Sequence, residues 1–255
     1  MLSERRTHAD HPDFVLLQES FSDATTALRI EAHYPHEAMG PKAQGKNLVN
    51  SGLFILSDHP LLSPESMKFD HCAIDDCMAA KGVLMARVQP AGMPEPFLIL
   101  TTHLQAQTEE DIIRLSQIDQ MARWFSEKNI FSFASVFAGD FNFKPGKHPS
   151  HAHFVRQTPF VDVGKQCVES PDSCTIATGG VTDLNDISKS ANDRQFIYAP
   201  PGSRYRIRPI FVTRNFTTKF RGQYLSDHWG YEVHYEFSWL DKPAKAATAD
   251  TLNVK

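Results

Sequence analysis

Three observations predict an α/β sandwich, with two packed sheets flanked by helices. Short apolar, β-prone runs recur along the 255 residues and are separated by turn-rich stretches. One longer stretch instead carries its apolar residues at helical spacing. The hydrophobic fraction, 41%, is enough for a full core at a length where such sandwiches are commonly one domain. One domain is therefore expected over 1–240. The tail 241–255, rich in Lys, Ala, Thr and Asp, reads as disordered.

Taken in order, Phe-Val-Leu-Leu-Gln-Glu (14–19) is a strand that ends in Glu19. Ser22 can cap a short helix over 23–32. Residues 35–46 hold Pro35, Gly40, Pro41 and Gly45 and read as a loop. Strands follow at 51–57, 82–89 and 97–103. Thr108, with Asp111 three residues on, opens a helix over 108–128 whose buried face is Ile118, Met121, Ala122 and Phe125. Asn129 can end it, and a strand at 133–139 comes next. His148, His151 and His153 fall in a polar stretch that reads as a solvated loop rather than a metal site. Residues 165–192 are polar and turn-rich and read as a long loop. Strands return at 194–199, 206–213 and 230–237. No run approaches the ~20 apolar residues needed to span a bilayer, and the first ten residues have no signal-peptide h-region.

A net charge of −4 argues against tight non-specific nucleic-acid binding, which depends on neutralising phosphates. One basic stretch runs from Arg204 to Arg221; it reads equally as a solvated strand face or a binding patch. The four cysteines form two close pairs, Cys72/Cys77 and Cys167/Cys174. Two local disulfides would each contribute about 2–3 kcal/mol and imply an oxidising compartment, hence secretion or the periplasm. The alternative is free thiols and a cytoplasmic protein. The spacings do not suit zinc.

Chemistry enters at Val-Phe-Ala-Gly-Asp-Phe-Asn-Phe (136–143), where an apolar run ends in an acid and an amide two positions apart. In extended backbone Asp140 and Asn142 would share one side. A carboxylate and a carboxamide there suit a hydrated cation, or an attacking water and a phosphate. Phe-Leu-Ile-Leu-Thr-Thr-His-Leu-Gln-Ala (97–106) ends its apolar part just before His103, and Ser-Asp-His (226–228) places Asp227 and His228 ahead of a strand. Each string puts an acid or imidazole where a strand meets a loop.

The order Gln18-Glu19, Thr102-His103-Leu104, Gly139-Asp140-Phe141-Asn142, Ser226-Asp227-His228 resembles the endonuclease/exonuclease/phosphatase superfamily, from about residue 13 to about residue 237. Asn192-Asp193-Arg194-Gln195-Phe196-Ile197 looks like that family's Asp-bearing strand, with Asp183 and Asp186 as rivals. Three strings are most similar to the neutral, bacterial-type sphingomyelinases. They are Thr-His-Leu-Gln-Ala around His103, the segment from Asp76 to Lys81-Gly82, and Asn50-Ser-Gly-Leu-Phe-Ile-Leu-Ser57. The resemblance implies a DNase I-like fold, a four-layer α/β/β/α sandwich of two packed mixed sheets flanked by helices. The family's first, Asn-bearing strand would be missing, since Met1 lies only a few residues before Phe14.

It also implies a phosphodiesterase. Glu19 and Asp227 would hold Mg²⁺ (or Mn²⁺ or Co²⁺). His228 would be the general base, oriented by Asp193; Asp140 would orient the water and Asn142 would hold the phosphate. His103 would steady the phosphate or protonate the leaving group. Lys81 would add charge near the phosphate, unless it is only a surface ion pair. The implied substrate is a phospholipid, sphingomyelin first, met at a membrane surface by a monomer. A nuclease, another phosphoesterase of the fold, or a non-catalytic binding homologue are the alternatives.

Overall fold

The computed structural model describes residues 11–177, 192–219, 222, 224 and 226–240. In chain order the strands are β1 (Phe14–Leu17), β2 (His36–Met39), β3 (Phe54–Ser57), β4 (Leu61–Lys68), β5 (Gly82–Val88), β6 (Phe97–His103), β7 (Ser135–Asp140), β8 (Val161–Asp162), β9 (Thr175–Ala177), β10 (Asp193–Tyr198), β11 (Tyr205–Asn215) and β12 (Gly230–Trp239). The helices are α1 (Asp23–Glu31), α2 (Asp111–Glu127), α3 (Pro149–Gln157) and α4 (Val163–Glu169).

The centre is a six-stranded sheet in the order β4-β5-β6-β7-β10-β8. Its β6–β7 pair is parallel and its other pairs are antiparallel. Every residue of β6 and β7 is buried, because this sheet is covered on both faces. That is why these runs are apolar without alternation.

One face packs on α2 and α3 through an aromatic core that includes Phe125, Phe137, Phe141, Phe154, Phe160 and Phe196. The other face packs on a second layer, through Leu84, Ile99, Val136, Ile197, Ile55 and Val212. That layer is in two three-stranded pieces, β1-β3-β2 and β12-β11-β9, with no ladder joining them among the described residues. α1 lies outside the first piece, where Ala32, Phe54 and Leu56 form a small third cluster. The layers run helix, sheet, sheet, helix, the four-layer sandwich that the resemblance implies.

Several elements differ from the sequence reading. Residues 36–39 form β2 rather than a loop. Only Ala38 of His-Glu-Ala-Met is buried, so the strand exists because it pairs with β3, not through its own propensity. β4 was not expected. Its Pro64 sits at a register shift on the sheet edge, the one place a sheet tolerates proline. α2 begins at Asp111 after a short 3₁₀ turn, and no side chain caps it; Asp111 instead holds Arg114 and Ser150. Ala122 is only half-buried, and Arg114, Gln117 and Trp124 share the buried face. Asn129 follows the helix in the left-handed conformation, as its place after the last turn suggests.

The three-histidine stretch is the start of α3, not a loop. Pro149 sits in its first turn, Phe154 anchors it in the core, and His153 Nε2 meets Asp119 Oδ1 on α2 at 2.6 Å. Within 165–192 the structure holds α4, whose Asp162 cap accepts from the Lys165 N–H at 2.9 Å, and β9. Asp183, Asp186 and the tail 241–255 lie outside the described residues. Both cysteine pairs are disulfides, Cys72–Cys77 and Cys167–Cys174. Ser22 caps α1 as expected, accepting from the Thr25 N–H at 3.2 Å.

Candidate active site

The strings far apart in sequence meet at one end of the central sheet. β7 and β10 run antiparallel with Asp140 directly opposite Asp193, so two carboxylates share a rung. The turn before β12 brings His228 above them. Ser226 Oγ accepts from the His228 N–H at 3.0 Å and shapes the turn. His228 Nδ1 lies 2.8 Å from Asp193 Oδ2 and 4.0 Å from Asp140 Oδ2. One donor atom from each of Asp140, Asp193 and His228 lies within 4.8 Å of the others.

These groups shift one another. The hydrogen bond that Asp193 accepts from it, and then the charge of Asp193, lift His228 from 6.5 to about 9 against the opposing effect of burial. Burial and the charge of Asp193 push Asp140 up to about 7, while His228 pulls it back. In the metal-free protein near neutrality, His228 therefore carries a proton and Asp140 is poised between its two forms.

His103 approaches from the other side. β6 and β7 are parallel, with His103 opposite Asp140 and Thr102 opposite Gly139. A Cβ at Gly139 would lie 2.2 Å from the Thr102 carbonyl oxygen, so only glycine permits this approach. His103 Nε2 is 3.6 Å from Asp140 Oδ2, 3.7 Å from Glu19 Oε1 and 2.9 Å from Lys81 Nζ. An ammonium can only donate, so Nε2 accepts and the ring proton sits on Nδ1, which is buried without a partner. Burial, and then the Lys81 charge, hold His103 well below its ordinary pKa; it is a neutral imidazole.

Lys81 is not at the surface. It is buried, donates to the Leu104 carbonyl at 3.1 Å and pairs with Asp76 Oδ1 at 2.8 Å. Burial lowers its pKa and Asp76 opposes that shift. Glu19 follows β1 with a positive φ and an exposed carboxylate.

Asn142 and Asp227 sit differently from the expectation. Asn142 has φ 50°, so the same-side argument for extended backbone does not apply. Its N–H donates to Asp140 Oδ1 at 2.8 Å and its amide to the Leu104 carbonyl at 3.1 Å. Phe141 and Phe143, both buried, pin the chain on either side of it. Asp227 is exposed, is not one of the three clustered residues, and acts on His228 through its charge.

Sequence reasoning missed Arg114. It is wholly buried and donates to the carbonyls of Gln105 at 3.0 Å, Ala106 at 3.3 Å and Thr108 at 3.3 Å, as well as to Gln107 and Asp111. It thus fixes the loop leaving His103. A signal existed: Arg114 is four residues before Ile118 and seven before Met121, on the apolar helical face. Asp76 was missed too. Besides Lys81, it accepts from the Ala106 N–H at 2.6 Å.

No family model matches the chain. An alignment 158 positions long, spanning 51% of this chain, shows 30% identity to human sphingomyelin phosphodiesterase 3, of which it covers 24%. An alignment 105 positions long, spanning 37% of this chain, shows 32% identity to Danio rerio sphingomyelin phosphodiesterase 5, covering 19% of it. The matches thus span about a fifth to a quarter of these relatives' lengths. Among solved structures, a humanized D. rerio TDP2 superposes with a TM-score of 0.67 at 18% identity, over 92% of this chain and 88% of that one. Sphingomyelinase C from Streptomyces griseocarneus superposes with a TM-score of 0.58 at 18% identity, over 92% and 89%. A Staphylococcus aureus beta toxin mutant with bound magnesium ions gives a TM-score of 0.60 at 13% identity, over 94% and 91%. The chain therefore has the DNase I-like fold of the sphingomyelinase type, and its sequence is similar to those of sphingomyelin phosphodiesterases.

Proposed function

We propose that the chain is a divalent-cation-dependent phosphodiesterase whose substrate is sphingomyelin, cleaved to ceramide and phosphocholine. The observation that carries the chemistry is the Asp193–His228 pair at 2.8 Å beside the buried Asp140. The names of the similar sequences support the substrate.

The donor set fits a hard cation. Two carboxylates crowd one another, and one is driven toward its protonated form by burial and its neighbour's charge. A divalent ion relieves that repulsion. Glu19, which like Asp227 is not one of the three clustered residues but meets His103 at 3.7 Å, would hold it beside Asp140, and Asp227 would reach it only through a change in the exposed turn. Magnesium, as bound in the beta toxin, is the first candidate, with Mn²⁺ and Co²⁺ as substitutes. When bound, such an ion supplies charge neutralisation at a phosphate oxygen.

The chain's own residues do the rest. With a divalent ion bound, whose positive charge would favour loss of the His228 proton, His228 would remove a proton from the attacking water through Nε2. Asp193 accepts from Nδ1–H, fixes the tautomer and raises the ring's basicity. Asp140 orients the water. Asn142 would turn its amide from Leu104 to the phosphate. His103, kept neutral with its proton on the buried Nδ1, is ill suited to protonate the leaving group; it would steady a phosphate oxygen only after its proton moves to Nε2 and Lys81 turns its ammonium away. Lys81 places positive charge behind it. Formed disulfides fit an oxidising compartment, and the phospholipid would be met at a membrane surface. Among the described residues no helix is long and apolar enough to cross a membrane.

The deciding assay compares phosphocholine release from sphingomyelin liposomes with nicking of plasmid DNA. Release that EDTA abolishes and Mg²⁺ restores is the expected result. Nicking without release would move the substrate to nucleic acid, and inactivity on both would leave another phosphoesterase of the fold or a binding protein.

A further inference from the structure

A second polar pocket, of about 160 Å³, adjoins the candidate site through Asn142 and Asn192, and none of Glu19, His103, Asp140, Asp193 or His228 lines it. Its size is below the ~300 Å³ at which drug-sized ligands begin to fit, so it suits a small group. Lys144, Lys147, Thr108 and His148 complete most of its wall, and no carboxylate lines it among the described residues.

His148 makes the pocket specific. It is the residue before α3 and is only 7% exposed. Its Nδ1 accepts from the Lys144 backbone N–H at 3.0 Å. A backbone amide can only donate, so the ring proton is on Nε2. That Nε2–H is buried and has no partner. An unsatisfied buried donor is unfavourable, and a ligand acceptor would remove that cost. Burial, and then the Arg114 charge, lower its pKa and favour the neutral ring, and the Lys144 N–H fixes the tautomer. Asp111, the acid whose charge reaches this ring, is itself engaged by Arg114 and by Ser150 Oγ at 2.6 Å. The positive end of the α3 dipole lies at the same place.

We propose that this pocket is an oxyanion subsite that binds a phosphate group, with Lys144 and Lys147 supplying charge and His148 Nε2–H a neutral donor. The binding stands whether or not the neighbouring residues hydrolyse a phosphodiester. The phosphate can come from a second phosphoryl group on the substrate or from free phosphate.

The test titrates inorganic phosphate into the intact, ¹⁵N-labelled protein and follows the His148 ring nitrogens. A saturable shift at Nε2 is expected. The Lys144→Ala/Lys147→Ala double variant should bind at least about tenfold more weakly, as loss of charge-assisted contacts implies. Lys128→Ala, which removes the partner of Glu65, is the charge control and should bind like the wild type. No shift at His148, or equal affinity in the double variant, overturns the subsite. Two p-nitrophenyl phosphodiesters, one bearing a second terminal phosphate, then separate the sources. A substrate-borne occupant raises the KM ratio between them in the double variant. A free-phosphate site leaves that ratio alone and weakens inhibition by phosphate. Binding without turnover of either substrate would overturn the phosphodiesterase reading and keep this one.

Discussion

Two histidines face Asp140 from opposite surroundings. His103 is 1% exposed, fixed on a central strand, backed by Lys81 and followed by a loop whose carbonyls Arg114 clamps. The His228 side chain is 38% exposed, sits on a turn and is held by Asp193. Burial drives the first toward neutrality, and an ion pair drives the second toward a charge. One flank of the site is part of the core, while the other is a part-exposed group held by its ion pair with Asp193. The proposed turnover of a phosphodiester would need both properties, rigidity behind and access in front.

The largest effect expected from breaking this asymmetry is on turnover. His228→Ala should slow phosphodiester hydrolysis by about 10²–10⁴-fold with little change in melting temperature. Near-full activity would remove His228 from its role. On the rigid flank the loss should appear in stability. Arg114→Met leaves the carbonyls of 105–108 without their cation, and urea unfolding should show a loss of about 3–5 kcal/mol. A loss below about 1 kcal/mol would mean that the loop holds itself.

The acids between the two flanks predict a pH signature. Asp140 has a raised pKa, so its favourable protonated form is fully present below its ordinary value of 3.8 and is lost as pH rises through about 7. Above that point two crowded carboxylates destabilise the fold, and the proposed divalent ion would offset them. Millimolar Mg²⁺ should thus raise the melting temperature more at about pH 8 than at about pH 5.5, where protons compete. Equal shifts at the two pH values would place the ion elsewhere. The smallest change is local. Asp193→Asn should lower the His228 pKa, read by NMR titration, from about 9 toward 6.5; an unchanged value would assign the shift to Asp140 and Asp227.

The contrast also explains what the sequence made legible. Glu19, His103, Asp140 and His228 each end or precede an apolar run, so their positions at strand ends followed from pattern alone. Asp193 was legible only by resemblance, since nothing local marks the first residue of β10. The conformation of Asn142 was not legible, because a left-handed turn follows from the pinning of Phe141 and Phe143 by a distant core. β2 and β4 depend on their partners and carry little signal of their own. Arg114 is signalled only by its place on the apolar helical face, and the sequence leaves Lys81 open between a charge near the phosphate and a surface ion pair, since such residues are usually exposed. Only the assembled carbonyls and Asp76 make their burial tolerable.

The closeness of His103 to Asp140 has one further consequence. It is set by how near two neighbouring main chains can lie, and Gly139 allows that nearness by having no side chain. The atom-to-atom reach between two reactive groups is thus controlled by a residue with no reactivity. A single added methyl there would spread the ladder and draw the imidazole from the acid, silencing the centre while every functional group stayed in the chain.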